Sequence, residues 1–311
     1  MRSPLANQRG TIVLYLVIGV LLLFIGGGLG LHYGLKHHAV LPYDVDAAYP
    51  PDRTLVGGEA FASTAAAIMD HELNSPTGWR PNDFFLWGPA IGPDNNASRQ
   101  LGIILALRES VRVFKDHLTK ISSNEYDLNL VSADTLLRND ETKFWFPSAE
   151  GRYKEAVAAL RRYVDGLGKT PPTSKPLNQR NVELIRLFQS WSDMLGDAHA
   201  NLFKDVEADG SSVKPWDTDD YFYHAQGVAH VIHHMARALK REYAAEFVNR
   251  PSIQKSLDEV IEMLGRAALL KPLIVLDGGP DGLTANHRRN LDVYIAEARQ
   301  KMYTIREELE K

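Results

Sequence analysis

Apolar positions along the chain fall into one unbroken run followed by several spaced stripes. The run comes first: Thr11 to Leu31, TIVLYLVIGVLLLFIGGGLGL, carries no charge. At about 1.5 Å per residue it reaches about 30 Å, the hydrocarbon thickness of a bilayer. Signal peptides have shorter apolar cores, about 7–15 residues, closed by a small-x-small cleavage site. Here the run leads instead into Leu31-His32-Tyr33-Gly34-Leu35-Lys36. The reading is an uncleaved anchor over 11–35, preceded by a short N-terminal segment, 1–10. Within it Gly26, Gly30 and Gly34 are spaced i, i+4, i+8 and share one helix face. Such small-residue faces let membrane helices approach closely, although glycine is also common in membrane helices that pack against nothing.

The stripes follow. Ile103, Leu107, Val111, Phe114, Leu118 and Ile121 recur every three or four residues. So do Tyr153, Val157, Leu160, Val164 and Leu167, then Leu184 through Phe188, Trp191, Leu195, Ala198, Leu202 and Val206. Leu291, Ile295, Ala298, Met302, Ile305 and Leu309 close the chain in the same way. This spacing puts an apolar stripe on each helix, suited to packing in a bundle. The last stripe is narrow and would serve either the chain's own bundle or a second chain. No sustained period-2 alternation occurs, and Leu273-Ile274-Val275-Leu276 is too short and isolated to imply a sheet. The expected fold is mostly α: one N-terminal transmembrane helix and an all-α helical-bundle domain.

Helix breakers divide the remainder. Pro42, Pro50 and Pro51 make 36–57 a stiff proline-rich stalk. Lys169-Thr170-Pro171-Pro172-Thr173-Ser174-Lys175-Pro176 cannot continue a helix, so 169–178 reads as a linker between helical subdomains at 58–168 and 179–311. Ser148 is placed to cap the Tyr153 helix. Asp217, Asp219 and Asp220 open a long helix expected to run to Phe247, and Pro251 suits a first helical turn.

Composition changes this picture little. Charged residues make up 24% and hydrophobic ones 44%, as in ordinary globular chains. The net charge of −4 leaves no global basic field for nucleic acid. With residues 1–35 set aside, Lys+Arg falls from 35 to 33 against 39 Asp+Glu, so the outer part is mildly acidic. Cysteine is absent, which removes disulfides, thiolate nucleophiles and Cys-ligated metals. Arg2 and Arg9 precede the span while Lys36 follows it. The positive-inside rule therefore places the N-terminus in the cytoplasm, by a narrow margin. The domain would then lie outside, in the periplasm of a bacterial inner-membrane protein.

Candidate chemistry centres on one helix. His230 and His234, at i and i+4, can share a divalent metal, and His233 can join them. Neither HExxH nor Glu-x-x-His occurs, and apolar Val228, Val231, Ile232 and Met235 surround these positions, so histidines packed in a core are the competing reading. Asp205, Glu207, Asp209 and Gly210 resemble the start of an EF-hand loop, but the twelfth position is Trp216 where a bidentate Glu belongs. No phosphate-binding glycine loop and no nucleophile elbow is present. No cofactor is expected. Two aromatic stretches among helix breakers stand out: Phe84, Phe85 and Trp87, and Phe144, Trp145 and Phe146. They either plug the bundle's end, the expected outcome for large aromatics, or form a sticky patch for partners or membrane.

The same segments carry a resemblance. Leu41-Pro42-Tyr43-Asp44-Val45-Asp46, Asn82-Asp83, Phe146-Pro147-Ser148, Phe222-Tyr223-His224-Ala225-Gln226-Gly227 and Ala285-Asn286-His287 occur in an order that resembles a gammaproteobacterial inner-membrane family known as a domain of unknown function. The resemblance implies a membrane-anchored helical protein and brings no reaction or catalytic residues. The expected role is a scaffold or interaction protein of the cell envelope. It would hold the bilayer through its anchor and engage envelope proteins or itself, with no nucleic acid partner. A ligand- or metal-binding envelope sensor and an envelope hydrolase with an unrecognised site are the rivals.

Overall fold

The computed structural model describes residues 4–37, 43–75, 77–83, 95–119, 125–178, 180–272, 274–279 and 281–311. The apolar run lies in α1 (Pro4–His37), one continuous helix that outlasts it at both ends. Its Gly10–Gly28 stretch has mean hydropathy 2.5 and is not buried against the rest of the chain, so α1 is long and apolar enough to cross a membrane.

The domain is built from α2 (Val45–Ala48), α3 (Glu59–Asn74), α4 (Asn95–Val113, continuing into a π turn over Phe114–Leu118), α5 (Leu128–Leu137), α6 (Ala149–Leu167), α7 (Asn181–Leu202), α8 (Pro215–Glu242), α9 (Ala244–Phe247), α10 (Pro251–Ala268) and α11 (His287–Glu310). Among the described residues there is no strand, only isolated bridges at Val206–Ser212 and Asp277–Asn286. The predicted stripes bury as a bundle requires, with Leu160, Leu195 and Ile305 all inaccessible to solvent. Three ends differ from the periodicity. Ile121 lies outside the described residues. Val206 falls past the end of α7 and is exposed. The long helix stops at Glu242, and Tyr243 turns the chain into the short α9 before Phe247.

Two of the longer helices were announced neither by a stripe nor by a helix-start signal. In α3 (EAFASTAAAIMDHELN) small alanines let neighbours close in on several sides, so ten of its residues are buried and no single face is marked. In α5 apolar residues surround the axis and both Leu130 and Asp134 are buried.

Helix α8 is the axis, packing on α3, α4, α7 and α10. Its closest approach is to α4. A Cβ on Gly102 would strike the His224 carbonyl, and a Cβ on Gly227 would strike the Arg99 carbonyl, so only glycine permits this crossing. One continuous buried cluster includes Phe61, Phe114 and Tyr163 from one side of the expected 169–178 linker and Trp191, Ile232 and Ile305 from the other. That segment is itself tied down: the Leu177 amide donates to the Gly57 carbonyl (2.8 Å) and the Asn178 amide to the Leu118 carbonyl (2.6 Å).

Direction alternates through the bundle. Glu242, at the end of α8, meets the start of α3. Lys240 pairs with Asp258 early in α10, and Gln226 donates to the Leu270 carbonyl just past its end. Arg288, opening α11, donates to the Lys204 carbonyl just past α7. Trp79, just past α3, donates to the Glu141 carbonyl between α5 and α6. The described parts of the connections around 75–83, 138–148, 203–214 and 269–286 therefore gather at the N-terminal end of α8, here termed the loop end.

Candidate functional site

Residues 43–57, read as the outer half of a stalk, lie on the domain. Val45 and Tyr49 are buried with Ala60 and Ala238. The apolar residues sit one turn apart in α2, and the Asp44 side chain caps that turn by accepting from the Asp46 amide (3.1 Å). Two arginines one turn apart on α8 then grip the segment. Arg237 donates to Asp44 and Asp46 (2.6 Å to the latter). Arg241 donates to the carbonyls of Tyr49 (2.8 Å) and Pro50 (2.9 Å) and to that of Arg53. The next residue, Glu242, accepts from the amides of Gly58 (3.0 Å), Ala60 (2.7 Å) and Phe61 (3.1 Å), supplying from α8 the cap that Gly58 lacks. Burial pushes the Glu242 carboxyl up, while these amides pull it down. Residues 44–61 are thus fixed to the bundle's axis by Arg237, Arg241 and Glu242.

One turn back along α8 lie the predicted ligands. His230 and His234 share a face with ring centroids 4.8 Å apart, and His233 is as close to His234. Only 2% of His230 and 7% of His234 is exposed. His233 turns aside: its Nδ1 is 2.8 Å from the Ile261 carbonyl, and Gly265 leaves room for the ring. Burial holds His230 far below the usual histidine range, aided by Arg99 and His234. His234 is brought down to about 3 by burial, then by His233 and Arg237. Both are therefore neutral at pH 7. Among the described residues no three His, Cys, Asp or Glu side chains are placed to hold one metal.

Sequence reasoning missed the charged groups beside them. Arg99 is almost wholly buried and pairs with buried Glu72 (3.0 Å), which also accepts from Gln100 Nε2 (3.0 Å). Arg99 Nε and Nη2, His230 Nε2 and His234 Nδ1 are buried without a protein partner. No period marks Arg99, Glu72 or Gln100 as interior, because charged positions near helix ends normally face water. Close by, an open cleft of about 520 Å³ between α3 and α6 is lined by Tyr43, His71, Asp70, Asn74 and Arg161, with an alanine floor.

The remaining candidates are dispersed. Asp205 reaches Arg288 (3.6 Å), Glu207 pairs with Lys204, and Asp209 accepts from the Ser211 amide (3.0 Å), so this acidic loop is a turn closed on its own partners. Gly26 and Gly30 have nothing near the position of a Cβ, so their face of α1 is open; Gly34 lies on the same helix. Phe84, Phe85 and Trp87 lie outside the described residues. The other aromatic loop does not plug the bundle: Trp145 is 77% and Phe146 97% exposed. Asn82 ties the two loops together, donating to the Lys143 carbonyl (3.2 Å) and to Glu150 (2.9 Å).

The chain belongs to a family described as uncharacterised proteins conserved in bacteria (DUF2333), whose sequence profile matches residues 6–208 and 177–311. No curated protein and no solved structure matches it.

Proposed function

We propose that this member of the family is a single-pass protein of the bacterial inner membrane. It holds a rigid helical scaffold on the periplasmic side for contacts with other envelope proteins. The observation that carries the reading is the clamp of Arg237, Arg241 and Glu242 on the chain just after α1. A domain on a free stalk samples many orientations. A stalk segment packed on its own domain keeps that domain nearer the membrane plane than a free stalk would, which lowers the entropic cost of meeting neighbours held in that plane. The open face of Gly26 and Gly30 supports a helix–helix contact inside the bilayer as part of the same role.

Orientation rests on Arg2 and Arg9 ahead of the span. Alkaline phosphatase fused after Lys311 is expected to be active, since it works only when exported; an active cytoplasmic reporter there, with silent phosphatase, reverses the orientation. The scaffold role is tested by crosslinking the full chain in cells, followed by mass spectrometry. Recurrent envelope proteins are expected, fewer in the Arg237→Ala plus Arg241→Ala double variant at equal membrane levels. A wild-type chain that captures none removes the role.

A second reading, a ligand- or metal-binding sensor, draws on the unpartnered buried nitrogens of Arg99, His230 and His234. Metal bound stoichiometrically to the purified chain, and lost in His230→Ala plus His234→Ala, would make it the leading one.

A further inference from the structure

Four nitrogens inside the bundle are buried without a protein partner: Arg99 Nε and Nη2, His230 Nε2 and His234 Nδ1. The three side chains come from α4 and α8, and none is more than 7% exposed. Buried polar groups are almost always hydrogen-bonded, because an orphaned one costs about 1–3 kcal/mol and more if it is charged. Four of them on three neighbouring side chains mark a place where something binds.

The way Arg99 is held says what that is. Its Nη1 donates to Glu72 (3.0 Å), whose other oxygen accepts from Gln100 Nε2 (3.0 Å). The two nitrogens left over, Nε and Nη2, lie on one edge of the guanidinium plane. That edge is the fork that matches the two oxygens of a carboxylate. The rings of His230 and His234 are 4.8 Å apart, and Arg99 is close enough to act on both. A neutral imidazole carries one N–H, on either nitrogen, so each ring is able to add a donor. Donors grouped around a guanidinium attract an oxyanion and repel a cation.

The cleft between α3 and α6 adjoins this cluster at His71, which lines the cleft and also acts on His230. Its volume of about 520 Å³ suits a small molecule. Ala66, Ala67 and Val164 give it an apolar floor, and Asp70 pairs across it with Arg161 (3.1 Å). Charge narrows the ligand further. One guanidinium is able to bridge two singly charged carboxylates, here that of Glu72 and that of a ligand. It does not offset a doubly charged phosphate in a buried site, where uncompensated charge is costly.

We propose that Arg99, His230 and His234 bind the carboxylate of a small monocarboxylic acid whose apolar body lies in the α3–α6 cleft. The proposal rests on the ligand-binding reading of the same nitrogens.

The full-length chain in phosphatidylcholine nanodiscs is titrated with sodium butyrate by calorimetry, at an ionic strength held constant with chloride. Sodium phosphate and zinc chloride are titrated in parallel. Saturable binding of butyrate is expected, with phosphate far weaker. Arg99→Lys keeps the charge but removes the fork, and is expected to weaken butyrate binding about tenfold or more. His230→Phe keeps a ring of similar size without its nitrogens. Ala67→Leu fills the cleft floor without touching the donors. Both should also weaken binding, and they decide the matter if the melting temperature shows that Arg99→Lys does not fold. Absence of saturable butyrate binding overturns the proposal. So does phosphate binding as tight as butyrate, or butyrate binding undiminished in His230→Phe and Ala67→Leu. Zinc bound where butyrate is not leaves the sensor reading in its metal form and removes the carboxylate site. A chain that takes neither loses both, and water then meets these nitrogens.

Discussion

Gly102 and Gly227 show how single residues set this bundle. Each occupies a place where a methyl group would meet a carbonyl of the facing helix, and each backbone is held by its own helix. Gly102→Ala or Gly227→Ala is expected to cost about 1–3 kcal/mol or more through overpacking, read as a lower melting temperature, even though alanine favours helix. Gly151→Ala, where only the Ser148 hydroxyl is near, should leave stability unchanged or raise it. His234 sets a pH dependence. Its folded pKa is about 3, below the 6.5 of an unfolded chain, with Arg99, His233, Arg237 and Asp44 facing it. A group with a depressed folded pKa lends stability that is complete above the unfolded value and is lost as pH falls toward the folded one. The domain should therefore melt progressively lower from pH 7 to pH 4. His234→Gln should flatten that slope, by up to about 5 kcal/mol over the full shift at about 1.4 kcal/mol per unit. Asp219 works against it: burial and Asp220 push its carboxyl up to about 6, so its contribution grows as pH falls. An unchanged slope in His234→Gln would show that the ring charges without cost.

At the scale of elements, the clamp on α8 decides where the segment 43–57 lies on the bundle. Arg237 and Arg241 together satisfy two carboxylates and three carbonyls that would otherwise face water. The Arg237→Ala plus Arg241→Ala variant is expected to leave the core intact while the segment 43–57 opens. Amide hydrogen exchange is the measurement. The Ala48 and Tyr49 amides, bonded within α2, should exchange much faster than in the parent, with the α7 and α11 amides unchanged. Equal protection in both chains would mean that Val45 and Tyr49 hold the segment by burial alone.

At the scale of the whole molecule, one core spans both sides of the proline-rich 169–178 segment. The domain should then unfold as one unit. Ile305 on α11 is fully buried, in a seam that the chain fills with its own α7 and α10. Ile305→Ala is expected to cost about 2–5 kcal/mol in lost transfer energy and cavity. Calorimetry should show the single transition moving down as a whole, carrying α3 and α6 with it. A second transition left at the parent temperature would mean two separable halves.

The sequence by itself determined the elements whose signal is local. An uncharged apolar run is long enough to span a bilayer wherever it is placed, and three-four spacing marks a buried face without any knowledge of what buries it. That was enough for α1, most of α4, α6, α7 and α11, and for the family. Alpha3 and α5 were not legible because burial on several sides erases periodicity. His230 and His234 could be placed on one face by counting, but their burial beside Arg99 depends on how α4 crosses α8. The clamp joins residues nearly two hundred positions apart, and the exposure of Trp145 depends on where the bundle places its loop. Those outcomes belong to tertiary structure, since partners distant along the chain leave no mark on local spacing.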